Sequence, residues 1–328
     1  MKILLANPRG FCAGVSRAVE TVEKVLEVEK SPVYVRHEVV HNKVVVDSLK
    51  KKGVTFVKEI DEVPDNSVCI FSAHGVSLKV ESEATKKNLV LYDATCPLVT
   101  KVHRGVRQAS NNDAECILIG HKGHPEVQGT MGQYRSENGA IYLVESEEDV
   151  AKLEVKDSQN LYFATQTTLS VDETQDIIYA LKLKFSAIKG PKKEDICYAT
   201  QNRQTAIKAM LKHIDVLVVV GSQNSSNSNR LKELASIEGI DSYLVDNPLE
   251  IGKLWFEGKK VCGVSAGASA PEYLVQGIIR EISNVCDGNV EVEDFEGIRE
   301  EVYFPLPRLL KQKLTKKYKE DFDLCKGL

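Results

Sequence analysis

One unit recurs along this chain: a short apolar run rich in β-branched residues, a few small or polar residues, then a helical pattern. It is read at ILLANPRGFCAG, VYVRHEVVHN, VCIFSAHGVS, LVLYDATCPLVT, CILIGHKGHPE, LYFATQTTLS, VLVVVGSQNSSNSN, YLVDNP and VCGVSAGASAP. Strands that are apolar at consecutive positions belong to parallel sheets covered on both faces, and parallel neighbours need a crossover, usually a helix. The repetition therefore dictates an α/β class. So many units exceed one small sheet, and 328 residues leave room for two or three domains. Charged, loop-like stretches at Lys51-Lys52-Gly53 and Gly190-Pro191-Lys192-Lys193-Glu194 offer punctuation. We expect three α/β lobes with mainly parallel sheets, over 14–96, 97–196 and 197–285, the last also taking the strand in 1–13. A tail over 286–328 follows. Ligands of such sheets bind beyond the carboxyl ends of the strands, and the unusual residues gather there.

Bulk properties exclude several classes. With 43 basic against 47 acidic residues the net charge is −4, so no general basic surface for nucleic acid is expected. The most apolar run, Val216-Leu217-Val218-Val219-Val220, is far too short to span a membrane. The N-terminus lacks the pattern of a signal peptide, and the expected location is cytoplasmic, where thiols stay reduced. The composition of the last residues, LPRLLKQKLTKKYKEDFDLCKGL, is basic and mildly amphipathic; a solvated helix and a partner-binding helix both fit it.

The eight cysteines are dispersed and form no CxxC pair. Cys69, Cys116 and Cys262 sit in apolar runs and read as small buried hydrophobes. Cys12, Cys96 and Cys197 differ. Each lies in a polar junction before a helical pattern (RGFCAGVSRAVE, DATCPLVTKVHR, DICYATQNRQTA), and they stand far apart, at intervals of 84 and 101 residues. A helix N-terminus favours a thiolate. Ligands drawn from different lobes would meet where lobes converge, and three thiolates leave a metal site open. Three unrelated turn cysteines remain the alternative on spacing alone.

Five of the seven histidines lie at strand ends: His37, His41, His74, His121 and His124. The stretch from Ser222 to Asn229 and the stretch from Ser265 to Ser269 are rich in hydroxyl, amide or small residues and precede helical patterns. Such helix N-termini suit a phosphate or diphosphate. Ser269-Ala270-Pro271-Glu272 also reads as a capping box. Neither a Walker A sequence nor GxGxxG is present, so the anion pocket has no nucleotide signature. Glu126, in His124-Pro125-Glu126, suits either a proton relay with histidines and the hydroxyls of the loop Thr165-Gln166-Thr167-Thr168 or a first-turn helix acid.

Together NPRGFCAGV, YVRHEVVHN, FSAHGVS, DATCPLVTKVH, GHKGHPEVQGTMGQY, TQTTLSVDET, DICYATQNRQ, VGSQNSSNSNRL and SAGASAP closely resemble the 4-hydroxy-3-methylbut-2-enyl diphosphate reductases, the last enzymes of the methylerythritol phosphate route to isoprenoids. The resemblance covers residues 1 to 285. It implies a trefoil of lobes around a central cavity and one [4Fe–4S] cluster per chain. Cys12, Cys96 and Cys197 match the family's ligands, and the fourth iron is left open for substrate. His41, His74, His124, Ser225, Asn227 and Ser269 match its diphosphate contacts, with Ser226 beside them; Glu126 matches its proton-relay acid and Thr167 the hydroxyl that places it. The glycines around Cys12 would then let backbone approach a bulky cluster. The implied reaction is a two-electron reductive dehydroxylation of an allylic diphosphate to isopentenyl and dimethylallyl diphosphate, with a ferredoxin or flavodoxin as electron donor. Two rivals from other classes are a non-catalytic iron–sulfur redox sensor and a zinc phosphoesterase.

Overall fold

In this computed structural model the backbone is described over residues 1–326 and side-chain surroundings over 1–319, so the end of the expected tail lies outside the described residues. The chain opens with β1 (Lys2–Leu5) and α1 (Ala13–Val28). It continues through β2 (Val33–Arg36), α2 (Lys43–Lys51), β3 (Val54–Val57), β4 (Val68–Phe71), α3 (Leu78–Lys86) and β5 (Val90–Asp93). Next come α4 (Pro97–Asn111), β6 (Glu115–Ile119), α5 (Pro125–Met131), β7 (Ile141–Val144), α6 (Glu147–Lys152), β8 (Leu161–Thr165) and α7 (Val171–Lys184). The last third holds α8 (Tyr198–Met210), β9 (Val216–Val220), α9 (Ser226–Ile237), β10 (Asp241–Val245), β11 (Val261–Ala266), α10 (Glu272–Val285), β12 (Glu291–Asp294) and α11 (Arg308–Lys326).

The strands form three sheets, ordered β3-β2-β4-β5, β7-β6-β8 and β10-β9-β11-β1-β12. Every pairing between them is parallel. The physical reason is visible in alternate residues of single strands. Val216, Val218 and Val220 pack into one apolar layer with α10, while Leu217 and Val219 pack into another with α8 and α9. Ile117 and Ile119 face α7, whereas Cys116 and Leu118 face α4 and α5. A sheet buried on both faces needs apolar residues at every position, which is the pattern seen in the sequence. Cys69, Cys116 and Cys262 are fully buried in these layers, and burial pushes their thiols up.

The architecture is the expected trefoil of α/β lobes, and β1 lies between β11 and β12 in the sheet of the last third. One difference concerns the stretch set apart at 286–328. Its Glu291–Asp294 segment pairs with β1 as an edge strand. Farther on, Leu310 and Leu314 of α11 enter the apolar layer around α1. All four residues of β12 are exposed, so it carries no apolar run by which it could be recognised.

Candidate active site

Parallel strands point their carboxyl ends the same way, and the candidate residues follow those ends. Cys12 follows β1, His41 follows β2, His74 follows β4 and Cys96 follows β5. His124 and Glu126 follow β6, Thr167 follows β8, Ser225 to Asn227 follow β9, and Ser269 follows β11. All of them line one cavity: Cys12, Cys96, Cys197, His41, His74, His124, Glu126, Thr167, Ser225, Ser226, Asn227 and Ser269. Gly14, Thr168 and Thr200 line it too. His37 and His121 do not; His121 sits beside Arg230 and Glu145 instead.

The three cysteines share one local geometry. Cys12 is the N-cap of α1, Cys96 of α4 and Cys197 of α8. A helix start alone would favour thiolates, but here burial dominates. It pushes Cys96 up to about 12 and Cys197 up to about 11, with the neighbouring Cys12 adding to both. Thiols raised as those of Cys96 and Cys197 are ionise near neutral pH only if a cationic group shares their site. Gly14 is shaped for the same purpose. A Cβ there would stand 2.6 Å from the Cys96 sulfur and 3.8 Å from that of Cys12, so only hydrogen leaves both sulfurs room. Gly10 has a different job: its φ of +67° sets the turn into Cys12. The donor set thus fits an iron–sulfur cluster with three cysteine ligands. Among the described residues no three His, Cys, Asp or Glu side chains close around a single metal ion.

Three imidazoles gather at another part of the cavity. His41 stacks on His74 with centroids 4.1 Å apart, and His124 meets them edge-on at 5.2 and 5.8 Å. Burial lowers His74 well below the ordinary range and His124 to about 3, and the neighbouring rings add to this. His124 Nδ1 accepts the Glu126 backbone N–H at 3.1 Å, so in the neutral ring the proton sits on Nε2. Of the side chains that line the cavity, His41 at Nε2 and Asn227 at both ends of its amide are left with buried, unpartnered polar atoms. Asn227 is only 3% exposed. Orphaned buried polar groups call for a partner, and a polar ligand in this cavity supplies one. Ser225 caps α9, Ser226 Oγ donates to Thr168 O at 3.2 Å, and Ser269 Oγ donates to His41 O at 2.8 Å. The capping box read at Ser269 is absent. Pro271, whose ring has no acceptor to offer, is the N-cap of α10, and the Ser269 hydroxyl is turned to His41 instead.

Glu126, 3% exposed, sits in the first turn of α5 and accepts from Thr167 twice, from N–H at 2.7 Å and from Oγ1 at 3.0 Å. Burial raises its carboxyl to about 7, against the lowering effect of the Thr167 bonds. A group with that value both gives and takes protons at neutral pH. The first-turn placement and the proton-relay reading are therefore compatible. The sequence reading did not single out Thr200, whose N–H and Oγ1 lie 3.4 and 3.2 Å from Cys197 Sγ. Its position three residues after the N-cap cysteine was the available signal.

Comparisons with known proteins bear on the family and the fold. A family model described as LytB protein matches residues 3–283. The 4-hydroxy-3-methylbut-2-enyl diphosphate reductase of Francisella tularensis subsp. novicida is 86% identical over 314 residues, 96% of this chain and 98% of that one. Its counterpart in Francisella philomiragia subsp. philomiragia is 85% identical, over 96% of this chain and 99% of the relative. Among solved structures, the E-1-hydroxy-2-methyl-but-2-enyl-4-diphosphate reductase of Plasmodium falciparum superposes with a TM-score of 0.91 at 37% identity, covering 96% of this chain and 98% of that one. A structure of (E)-4-hydroxy-3-methyl-but-2-enyl diphosphate reductase, described as the terminal enzyme of the non-mevalonate pathway, gives 0.63 at 32% identity, covering 86% and 99%.

Proposed function

Because the chain belongs to the LytB protein family, with 4-hydroxy-3-methylbut-2-enyl diphosphate reductases as close relatives, we propose that it reduces (E)-4-hydroxy-3-methylbut-2-enyl diphosphate. Two electrons and two protons enter, the allylic C–O bond breaks and water leaves. Protonation at one end of the allyl unit gives isopentenyl diphosphate, and at the other dimethylallyl diphosphate. Cys12, Cys96 and Cys197 would hold one [4Fe–4S] cluster, which when bound supplies electrons and a Lewis-acidic iron without a protein ligand.

The remaining steps belong to the chain's own groups. His41, His74, His124, Ser225, Ser226, Asn227 and Ser269 anchor the diphosphate and so fix where the hydroxyl lies. Glu126, held by Thr167, gives a proton to the departing oxygen. Hydroxide is a poor leaving group and water a good one, so the proton must arrive as the bond breaks. A small ferredoxin or flavodoxin in the cytoplasm is the electron donor we assign.

One observation carries the reading: three N-cap cysteines open on the same cavity as the Glu126–Thr167 pair and the orphaned atoms of His41 and Asn227. The zinc phosphoesterase alternative has no three-ligand single-ion site among the described residues. Anaerobically purified protein should hold about four irons per chain and turn over the substrate with a reduced dye. Colourless protein after anaerobic reconstitution refutes the cluster. A full cluster without turnover favours the redox sensor.

A further inference from the structure

We infer that Glu38 is a positioning residue for the diphosphate site, holding His41 in the orientation and protonation pattern that an anion requires. The inference rests on the reading of His41 as a diphosphate contact. His41 Nδ1 lies 3.2 Å from Glu38 Oε2, so its proton is donated to that carboxylate, and Nε2 is the nitrogen left buried without a partner. An imidazole whose Nδ1 is free can carry its proton on either nitrogen. A carboxylate at Nδ1 removes that choice. When an anionic oxygen sits at Nε2, the ring needs a second proton there, and Glu38 balances the charge this creates.

Glu38 does not act from one lobe alone. Its Oε2 also accepts from Asn224 Nδ2 at 2.8 Å, from the loop that follows β9. Two further bonds fasten the same His41 loop to the strands of the last third. Lys43 N–H donates to Ser222 Oγ at 3.1 Å, and Ser269 Oγ donates to His41 O at 2.8 Å. The bonds from His41 and Asn224 hold Glu38 below the usual carboxylate range against the effect of burial, so it stays ionised. His41 is therefore aimed by a carboxylate from its own lobe that is itself fixed by an amide from another. Stacking on His74, 4.1 Å away, restrains the ring plane; at Nδ1 the ring meets Glu38 Oε2 at 3.2 Å and the Asn224 amide nitrogen at 3.5 Å, and of these two only the carboxylate can accept the Nδ1 proton.

The test uses anaerobic holoprotein and inorganic diphosphate as the probe, with binding measured calorimetrically. Wild type should bind, and His41→Ala should abolish most of that binding. Glu38→Gln and Glu38→Ala should each weaken binding about tenfold, the loss expected for one charge-assisted hydrogen bond. Asn224→Ala should weaken it about threefold by loosening Glu38. Iron content should stay at the wild-type level in every variant. Glu38→Gln nearly preserves side-chain shape, so it decides the matter if Glu38→Ala loses iron. In turnover, KM for substrate should rise by the same factor as the binding loss, with kcat moving less than about threefold. Wild-type affinity in Glu38→Gln overturns the inference while the diphosphate reading stands. A fall in kcat at unchanged KM overturns it too. Loss of diphosphate binding in none of the variants, His41→Ala included, overturns the underlying reading itself.

Discussion

Replacing Glu126 by glutamine separates its chemistry from its structural cost. The carboxyl is buried and titrates at about 7 instead of 4.5. Below 4.5 it is protonated in both the folded and unfolded chain and costs nothing. As pH rises toward 7 the unfolded chain ionises first, so stability falls, and above 7 the full penalty is present. The substituted glutamine would not titrate, and its amide can still accept from the Thr167 N–H while donating to Oγ1. Between pH 6 and pH 8.5 wild type should therefore lose roughly 1.4 kcal/mol relative to Glu126→Gln, one further unit of the shift. That is about 2–4 °C in the difference of melting temperatures, followed anaerobically. An anionic cluster in the same cavity pushes the carboxyl in the same direction. In turnover, the acid form is required, so wild-type kcat should fall roughly tenfold from pH 6 to pH 8. Glu126→Gln should lose on the order of 10²–10⁴ in kcat and lose that pH break as well. A variant that turns over within about threefold of wild type, or that keeps the break near pH 7, refutes the assignment of Glu126 as the proton donor.

Three other substitutions probe the cavity. Gly14→Ala places a methyl 2.6 Å from the Cys96 sulfur while improving helix propensity by about 1 kcal/mol; iron per chain should drop by about half or more without a lower helix content by circular dichroism, and full iron would refute the close-approach argument. Thr200→Val removes the hydroxyl 3.2 Å from Cys197 Sγ but keeps the backbone bond; a redox titration should find the midpoint potential more negative by about 40 mV, the equivalent of one hydrogen bond. Asn227→Ala deletes two orphaned polar atoms; inhibition by inorganic diphosphate should weaken about tenfold while the urea midpoint holds or rises, and unchanged inhibition removes Asn227 from the anion site.

What the sequence disclosed follows from where the chemistry sits. In parallel sheets the strand is apolar throughout and the working residues come just after it, so His74 after VCIF, Cys96 after VLYD and Glu126 after ECILI stand out locally. Long-range partners carry no such mark. Glu38 and Asn224 meet across 186 residues, and Arg203 and Glu300 across 97. The edge strand β12 was invisible because both its faces are wet. The capping box at Ser269 was misread for a related reason. Spacing alone suggests that a serine three residues before a glutamate caps a helix, but the partner that took its hydroxyl, the carbonyl of His41, is 228 positions away.

Those distant contacts explain how turns far apart in the sequence hold three sulfurs at one cavity. The side chain of Arg203 is fully buried and reaches three places at once: Ala199 O in the helix capped by Cys197, Gly10 O in the turn that leads to Cys12, and the Glu300 carboxylate beyond β12. Arg17, on the helix capped by Cys12, donates to Thr95 O next to Cys96, to Asp93 O, and to Pro305 O. Each guanidinium thus ties cysteine-bearing turns to one another and to the C-terminal segment. Both terminal nitrogens of Arg203 are partnered while its Nε is buried without a partner, and removing the carboxylate from such a buried pair costs about 3–5 kcal/mol. The backbone after β12 is therefore committed to a single path, from the edge of one sheet past Glu300 and Pro305 to the apolar layer at Leu310 and Leu314. The stretch set apart in the sequence as a tail thus braces the turns of Cys12, Cys96 and Cys197 through Glu300 and Pro305.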